Sequence, residues 1–126
     1  MENTEKNPPY ISIGEQAFSL EVADNNTKRQ IGLMWREQMD LDHGMLFIFE
    51  QESKPSFWMK NTLIPLDIIW LSKDLEVVDF KTMKPCPPES VRCPSATPKA
   101  AAQYVLELNA GVFSGKIGDT ATLIMQ

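Results

Sequence analysis

Lys60, Asn61, Thr62 and Asp67 stand inside SFWMKNTLIPLDIIWL, residues 56–71, the most hydrophobic stretch of the chain. Polar groups are costly to bury without partners, so in such surroundings they must be paired, exposed or used. In an extended FWMK segment Phe57 and Met59 share one face, and Trp58 and Lys60 share the other. With Phe57 and Met59 inside, Trp58 and Lys60 set an aromatic plate beside a cation. That pairing suits a ligand with an apolar ring and an anionic or hydroxyl edge. The bland alternative has Lys60 snorkelling over apolar surface and Trp58 packed under a loop. Asn61 and Thr62 favour a turn, where their side chains satisfy local backbone groups. Asp67 is expected to cap a backbone turn or to pair with Lys60 or Arg36. Breaking one side of such a partly buried pair would cost about 3 to 5 kcal/mol.

Other residues could complete the same patch. Glu107 and Asn109 fall on the polar side of an alternating run, and Asp67 with Glu107 would resemble the carboxylate pair of a glycosidase. A Ser, His and Asp triad would have to use His43, the single histidine, in LDHGM, where a His before a Gly reads as a loop residue. Cys86 and Cys93 lie seven apart in PCPPESVRCP, whose prolines exclude helix and central strand. Two thiols at that spacing in a constrained loop can reach disulfide distance, and closing so short a ring stabilises by about 2 to 3 kcal/mol. A redox pair usually has C-x-x-C spacing, and zinc would need two more ligands, so a structural disulfide is expected, with no metal and no cofactor.

The elements that must position these residues are short. In QAFSLEVA, Phe18, Leu20 and Val22 alternate with Ser19 and Glu21, the period of a strand with one buried face. Asp24, Asn25 and Asn26 end it and can cap a brief helix over 27–34 that offers Ile31 and Met34 inward. MLFIF is a compact apolar strand. Residues 67–71 and 76–80 form a hairpin joined through Ser72, Lys73, Asp74 and Leu75. Residues 104–109 make another strand, with Tyr104, Leu106 and Leu108 facing one way and Val105, Glu107 and Asn109 the other. A helical turn over 110–113 ending at Gly115, a KIGD turn and a TATLIM strand close the chain. Seven or so strands with one or two short helices predict a mainly β protein, a small antiparallel barrel or sandwich. The barrel is favoured, since closing the last strand onto an early one leaves fewest edges.

With 126 residues the chain is long enough for one core and leaves little room for a second. Residues 1–9 read as a flexible segment and 10–126 as a single domain. The net charge is -5 and the 12 Lys and Arg are scattered rather than striped, which sets nucleic-acid binding aside. The longest apolar runs, GMLFIF and LIPLDIIWL, are far short of the roughly 20 residues of a membrane span. MENTEKNPP lacks the apolar core of a signal peptide, so either the protein is cytoplasmic or an export signal has been removed ahead of it. A Cys86–Cys93 disulfide points to the second case and an extracytoplasmic location, periplasmic, secreted or lipoprotein.

The succession EVADNNTKRQIGLMWREQM, GMLFIF, SFWMKNTLIPLDIIWL, YVLELNAG and KIGD resembles the small bacterial and archaeal family catalogued as domain of unknown function 192. The likeness runs from about Phe18 to the end. It implies a compact β-barrel-like fold with a short helix or two and members that often carry export or lipoprotein signals, and it implies no activity. The positions matching the family pattern are Gly32, Leu33, Met34, Arg36, Gly44, Met45, Trp58, Met59, Lys60, Asn61, Thr62, Pro65, Leu66, Asp67, Glu107, Asn109 and Gly111; the polar ones are the site candidates.

Three functional expectations follow. The first is a non-enzymatic binding or accessory domain whose patch of Arg36, Trp58, Lys60, Asn61, Thr62, Asp67, Glu107 and Asn109 holds a small polar ligand, a glycan or a protein partner. The second is a hydrolase acting through Asp67 and Glu107, which requires those carboxylates to share a cleft. The third is a purely structural network of Lys60, Asp67 and Arg36.

Overall fold

The computed structural model describes residues 6–126. Its elements are β1 (Tyr10–Ile13), β2 (Gln16–Ala23), α1 (Asn26–Ile31), β3 (His43–Ser53), β4 (Phe57–Trp58), β5 (Leu66–Leu71), β6 (Val77–Met83), β7 (Ser95–Ala96), β8 (Ala102–Asn109) and β9 (Ala121–Ile124). Seven strands form one curled sheet in the order β6-β5-β8-β3-β2-β1-β9, a half-barrel, and β4 pairs with β7 in a separate ribbon. The last strand joins an early one, as expected: β9 lies antiparallel to β1, with Ile13 opposite Ala121. The two sheet edges then approach at one end. A bridge links Glu76 to Thr120, and Val77 N–H donates to the Asp119 carbonyl at 2.8 Å.

Curling divides the core in two. Every sheet strand contributes to an inner cluster, among them Ile11, Phe18, Leu46, Ile69, Val77, Leu106 and Ala121. The outer face carries Phe47, Ile68, Trp70 and Val105, covered by connecting segments through Leu33, Met59, Ile64 and Cys86. A strand covered on both faces reads as a continuous apolar run, and all six residues of β5 are buried accordingly. Trp70 satisfies its one donor by giving its indole N–H to the Pro55 carbonyl at 3.0 Å.

The hairpin of β5 and β6 forms around Ser72, whose hydroxyl accepts from the amides of Asp74 and Glu76. Asn25 caps α1 by accepting from Lys28 N–H at 2.8 Å. The helix is shorter than expected because Gly32 ends it with a φ of 49°. A Cβ there would also stand 3.2 Å from the Phe47 ring, so glycine lets the helix end approach the sheet. Ile31 points outward at 53% exposure and Leu33, just past the helix, takes the buried place expected for Ile31 and Met34.

Two further readings change, and two segments are added. β2 and β3 are parallel, so the sheet is not wholly antiparallel: α1 and the segment after it carry the chain back to the end where β2 began. Residues 110–113 make a turn at Ala110 and Gly111, not a helical one. β1, too short to show a period, is a sheet strand. Of the segment read as flexible, residues 1–5 lie outside the described residues, while Lys6 meets Asp42 at 3.0 Å and the Pro9 carbonyl accepts from Leu20.

Candidate functional site

The outer face is where polar groups gather. Glu21, Met45, Glu107 and Ile68 are successive partners across β2, β3, β8 and β5, so their side chains project to the same side. Two strand spacings separate Glu21 from Glu107, roughly 10 Å, with Met45 between them. His43 and Asn109, two residues along from Met45 and Glu107, point the same way.

Glu21 is the hub. Its two oxygens accept from the Arg36 guanidinium at 2.5 and 2.6 Å, a bidentate fork. Oε2 also meets His43 Nε2 at 2.9 Å, and because a carboxylate can only accept, that nitrogen carries the proton. The hydrogen bond from Arg36 pulls the Glu21 carboxyl down to about 2, with His43 adding to it and partial burial opposing. Arg36 is raised by the same bond. Both partners remain about one-third exposed, at 34% and 38%. Arg36 reaches Glu21 from the segment between α1 and β3, which Asn109 holds in place by donating its side-chain amide to the carbonyls of Met39 (2.7 Å) and Asp40 (3.1 Å).

Glu107 behaves in the opposite way. Burial alone pushes its carboxyl up to about 8, so at neutral pH it is an uncharged acid with one O–H to donate. The alternation that placed it on a polar face was read correctly, but the loops cover that face and leave Glu107 buried. On the other face of the sheet Gly44 of β3 lies close to the β8 backbone: a Cβ there would stand 2.7 Å from the Glu107 carbonyl oxygen and 2.7 Å from the Leu108 side chain.

A cavity of about 360 Å³ opens beside the Glu21 fork, between α1 and the sheet. Val22, Ala23, Ile31, Gly32 and Met45 form its apolar wall, and Glu21, Lys28 and Arg36 supply its charge.

The strip from Trp58 to Thr62 borders this region through one bond: the Asn61 carbonyl accepts from Trp35 N–H at 2.9 Å, one residue before Arg36. Asn61 adopts a φ of 59°, the left-handed turn its side chain tolerates. Thr62 is buried and its carbonyl accepts from Cys86 at 2.8 Å, while Lys60 and Thr62 both bridge to Cys86. The Cys86 and Cys93 sulfurs lie 2.11 Å apart, at disulfide distance as expected. Trp58 is 59% exposed and Met59 is buried, the alternation expected for FWMK.

Asp67 does not join the patch. It shares the inner face with Ile69 and Leu71, where Thr82 Oγ1 (2.6 Å), Gly111 N–H (3.0 Å) and Phe113 N–H (3.1 Å) donate to it. It fastens the turn after β8 and pairs with neither Lys60 nor Arg36. Its strand partner is Leu108, whereas Glu107 is the partner of Ile68, so the two carboxylates leave the sheet on opposite faces and form no hydrolytic pair. The Lys60, Asp67 and Arg36 network is likewise not formed, because Arg36 is held by Glu21. Of the expected residues, Glu107 and Asn109 share the outer face with the Glu21 that holds Arg36. Glu21 and His43 join them without a local signal: Glu21 looked like any outward residue of β2, and His43 opens β3 rather than sitting in a loop.

The family model of domain of unknown function 192 (DUF192), described as an uncharacterized ACR, matches residues 10–122. A UPF0127 protein of Thermococcus kodakarensis is 36% identical over 90 residues, 70% of this chain and 52% of that one. A UPF0127 protein of Pyrococcus abyssi is 32% identical over 108 residues, 79% of this chain and 81% of that one. The chain spans about half the length of the two Thermococcus relatives it matches. Among solved structures, a Sinorhizobium meliloti protein described as a candidate transcription regulator superposes with a TM-score of 0.78 at 31% identity, covering 91% of this chain and 92% of that one. A Novosphingobium aromaticivorans protein of unknown function superposes at 0.76 and 28% identity, covering 90% and 83%.

Proposed function

The chain belongs to the DUF192 family, which carries no assigned activity, and for this member we propose a non-enzymatic binding domain that holds a small polar ligand on its outer face. One observation carries the reading: a cavity of about 360 Å³, within the size range of ligand pockets, is lined by a forked ion pair and an apolar wall. Arg36 and Glu21 fix each other's geometry before anything binds, which limits the ordering cost of association. The strip of Lys60, Asn61 and Thr62 acts as a support, holding the Arg36 segment over the site through the Asn61 carbonyl. Asp67 secures the opposite face. The facing directions of Asp67 and Glu107 weigh against the hydrolase reading.

Trp35 and Trp58, 57% and 59% exposed, favour a second reading in which a glycan or a partner segment stacks on their rings. The Cys86–Cys93 pair supports work in an oxidising compartment outside the cytoplasm. No helix among the described residues is long and apolar enough to cross a membrane.

Thermal-shift screening of sugars, nucleotides, organic anions and peptides tests the reading, using wild type and Ile31→Trp. Ile31 is exposed at the cavity wall, so the larger ring narrows the cavity without disturbing the core. A ligand at 100 times its dissociation constant adds about 2.7 kcal/mol, several degrees of midpoint. Stabilisation lost in Ile31→Trp supports the cavity. Stabilisation kept in Ile31→Trp and lost in Trp58→Ala would move the site to the aromatic surface.

A further inference from the structure

Resting on the binding reading above, we propose that the cavity beside α1 selects small organic acids: a compact apolar body seated against Ile31, Ala23 and Met45, with a carboxylate directed to Lys28 and Arg36.

The charge arrangement decides the sign of the ligand. Glu21 supplies the single negative charge of the lining, and three of its roughly four acceptor positions are already engaged, Oε1 by Arg36 and Oε2 by Arg36 and His43. A cationic ligand would have to displace Arg36 from a fork that is already charge-assisted on both oxygens. Arg36, by contrast, has capacity left. A guanidinium has five N–H donors, the fork uses two, and the side chain is 34% exposed. Lys28 adds a second positive charge at the cavity and joins none of the ion pairs among the described residues. The lining thus carries two cations against one occupied carboxylate in a chain whose net charge is -5. That is a local reversal of the protein's overall sign, and it favours an anion at this place.

Size and polarity define the rest of the ligand. The apolar wall comprises one exposed side chain, Ile31, and inward ones such as Ala23 and Met45, so a ligand covers Ile31 while touching buried carbon behind it. A volume of about 360 Å³ holds about a dozen non-hydrogen atoms at the roughly 30 Å³ share of a water in the liquid. Phenylacetate and octanoate, monocarboxylates of that size, are the natural probes. Met45, unbranched and polarisable, can adjust to either a ring or a chain.

The test is a titration of the full chain, disulfide intact, followed by backbone amide NMR. The probes are phenylacetate and octanoate, with phenylacetamide and phenethylammonium as neutral and cationic partners of matched shape. Phenylacetate is expected to shift the Ile31, Gly32 and Met45 amides saturably and to bind at least tenfold tighter than phenylacetamide. Lys28→Met is expected to lower that preference, Arg36 alone being left to hold the carboxylate, and an undiminished preference would remove Lys28 from the site; Lys28 is exposed, so the variant keeps the fold. Equal or tighter binding of phenylacetamide or phenethylammonium at the same amides would overturn the acid selectivity while leaving a binding cavity. Absence of cavity shifts with every probe, or shifts that persist in Ile31→Trp, would overturn the binding reading as well.

Discussion

Replacing Glu107 with glutamine should make the protein more stable at neutral pH, and the gain should vanish in acid. Glu107 is buried on the outer face and burial holds its carboxyl at about 8, against 4.5 for the free group. The folded value is raised, so the sign is as follows: below about pH 4.5 both folded and unfolded chains carry the proton and the acid imposes no penalty. As pH rises from there toward 8 the unfolded chain gives up its proton and the folded chain does not, and stability falls. Across that window the slope is one proton, about 1.4 kcal/mol per pH unit. Between pH 5 and 7 wild type should therefore lose about 3 kcal/mol relative to Glu107→Gln, which has no proton to exchange and nearly the same shape. For a chain of 126 residues that is about 10 °C of midpoint. The assay is thermal or urea unfolding of both proteins at half-unit steps from pH 4 to 9, reading the difference between the curves so that all other titrating groups cancel. A difference that is flat across pH 5 to 8 would refute the reasoning, because it would mean that the carboxyl ionises in the folded protein as it does in the unfolded one.

The same method applied to Glu21→Gln should show the reverse dependence. The Glu21 carboxyl is depressed to about 2 by Arg36, so its contribution is present above pH 4.5 and is lost as pH falls toward 2; solvent screening of this part-exposed pair keeps it under about 1 kcal/mol. Asp67→Ala should destabilise by about 3 to 5 kcal/mol in chemical unfolding, because it strands Thr82 and the amides of Gly111 and Phe113, whereas Asp67→Asn should cost less. Reducing the Cys86–Cys93 bond, or replacing both residues by alanine, should cost about 2 to 3 kcal/mol for so short a loop. It should also speed hydrogen exchange at the amides of Cys86 and Met59, which donate to Thr62 and Pro94.

Periodicity was enough for the strands that have one apolar side or two. QAFSLEVA, MLFIF and the hairpin around Ser72 are found within a few residues of where their patterns put them. The helix cap at Asn25 and the closing of the last strand onto an early one were equally readable. β1 was not: its four residues are too few to establish a period, and it is held by β2 and β9 from either side. The inward residue of the α1 region was misassigned because the helix stops at Gly32, and only the packing of Gly32 on Phe47 decides which neighbour turns inward.

The candidate site divides along the same line. Residue types and spacing by themselves marked Lys60, Asn61, Thr62 and Asp67 as polar groups out of keeping with their surroundings, put Glu107 and Asn109 on one side of their strand, and marked Cys86 and Cys93 as a pair, since desolvation cost, alternation and loop length are properties of composition and separation. Which groups meet was decided by the tertiary structure alone. Glu21 and Arg36 are fifteen positions apart and join only because the segment after α1 folds back over the parallel pair of β2 and β3. Asp67 and Glu107 looked like one patch, and the pleat sends them to opposite faces because each strand residue alternates sides and their register differs by one. Charge state follows the same rule: two glutamates on one face of the sheet, with Met45 between them, end near 2 and near 8, because one meets a guanidinium at the rim and the other lies under the loops with burial as its only influence.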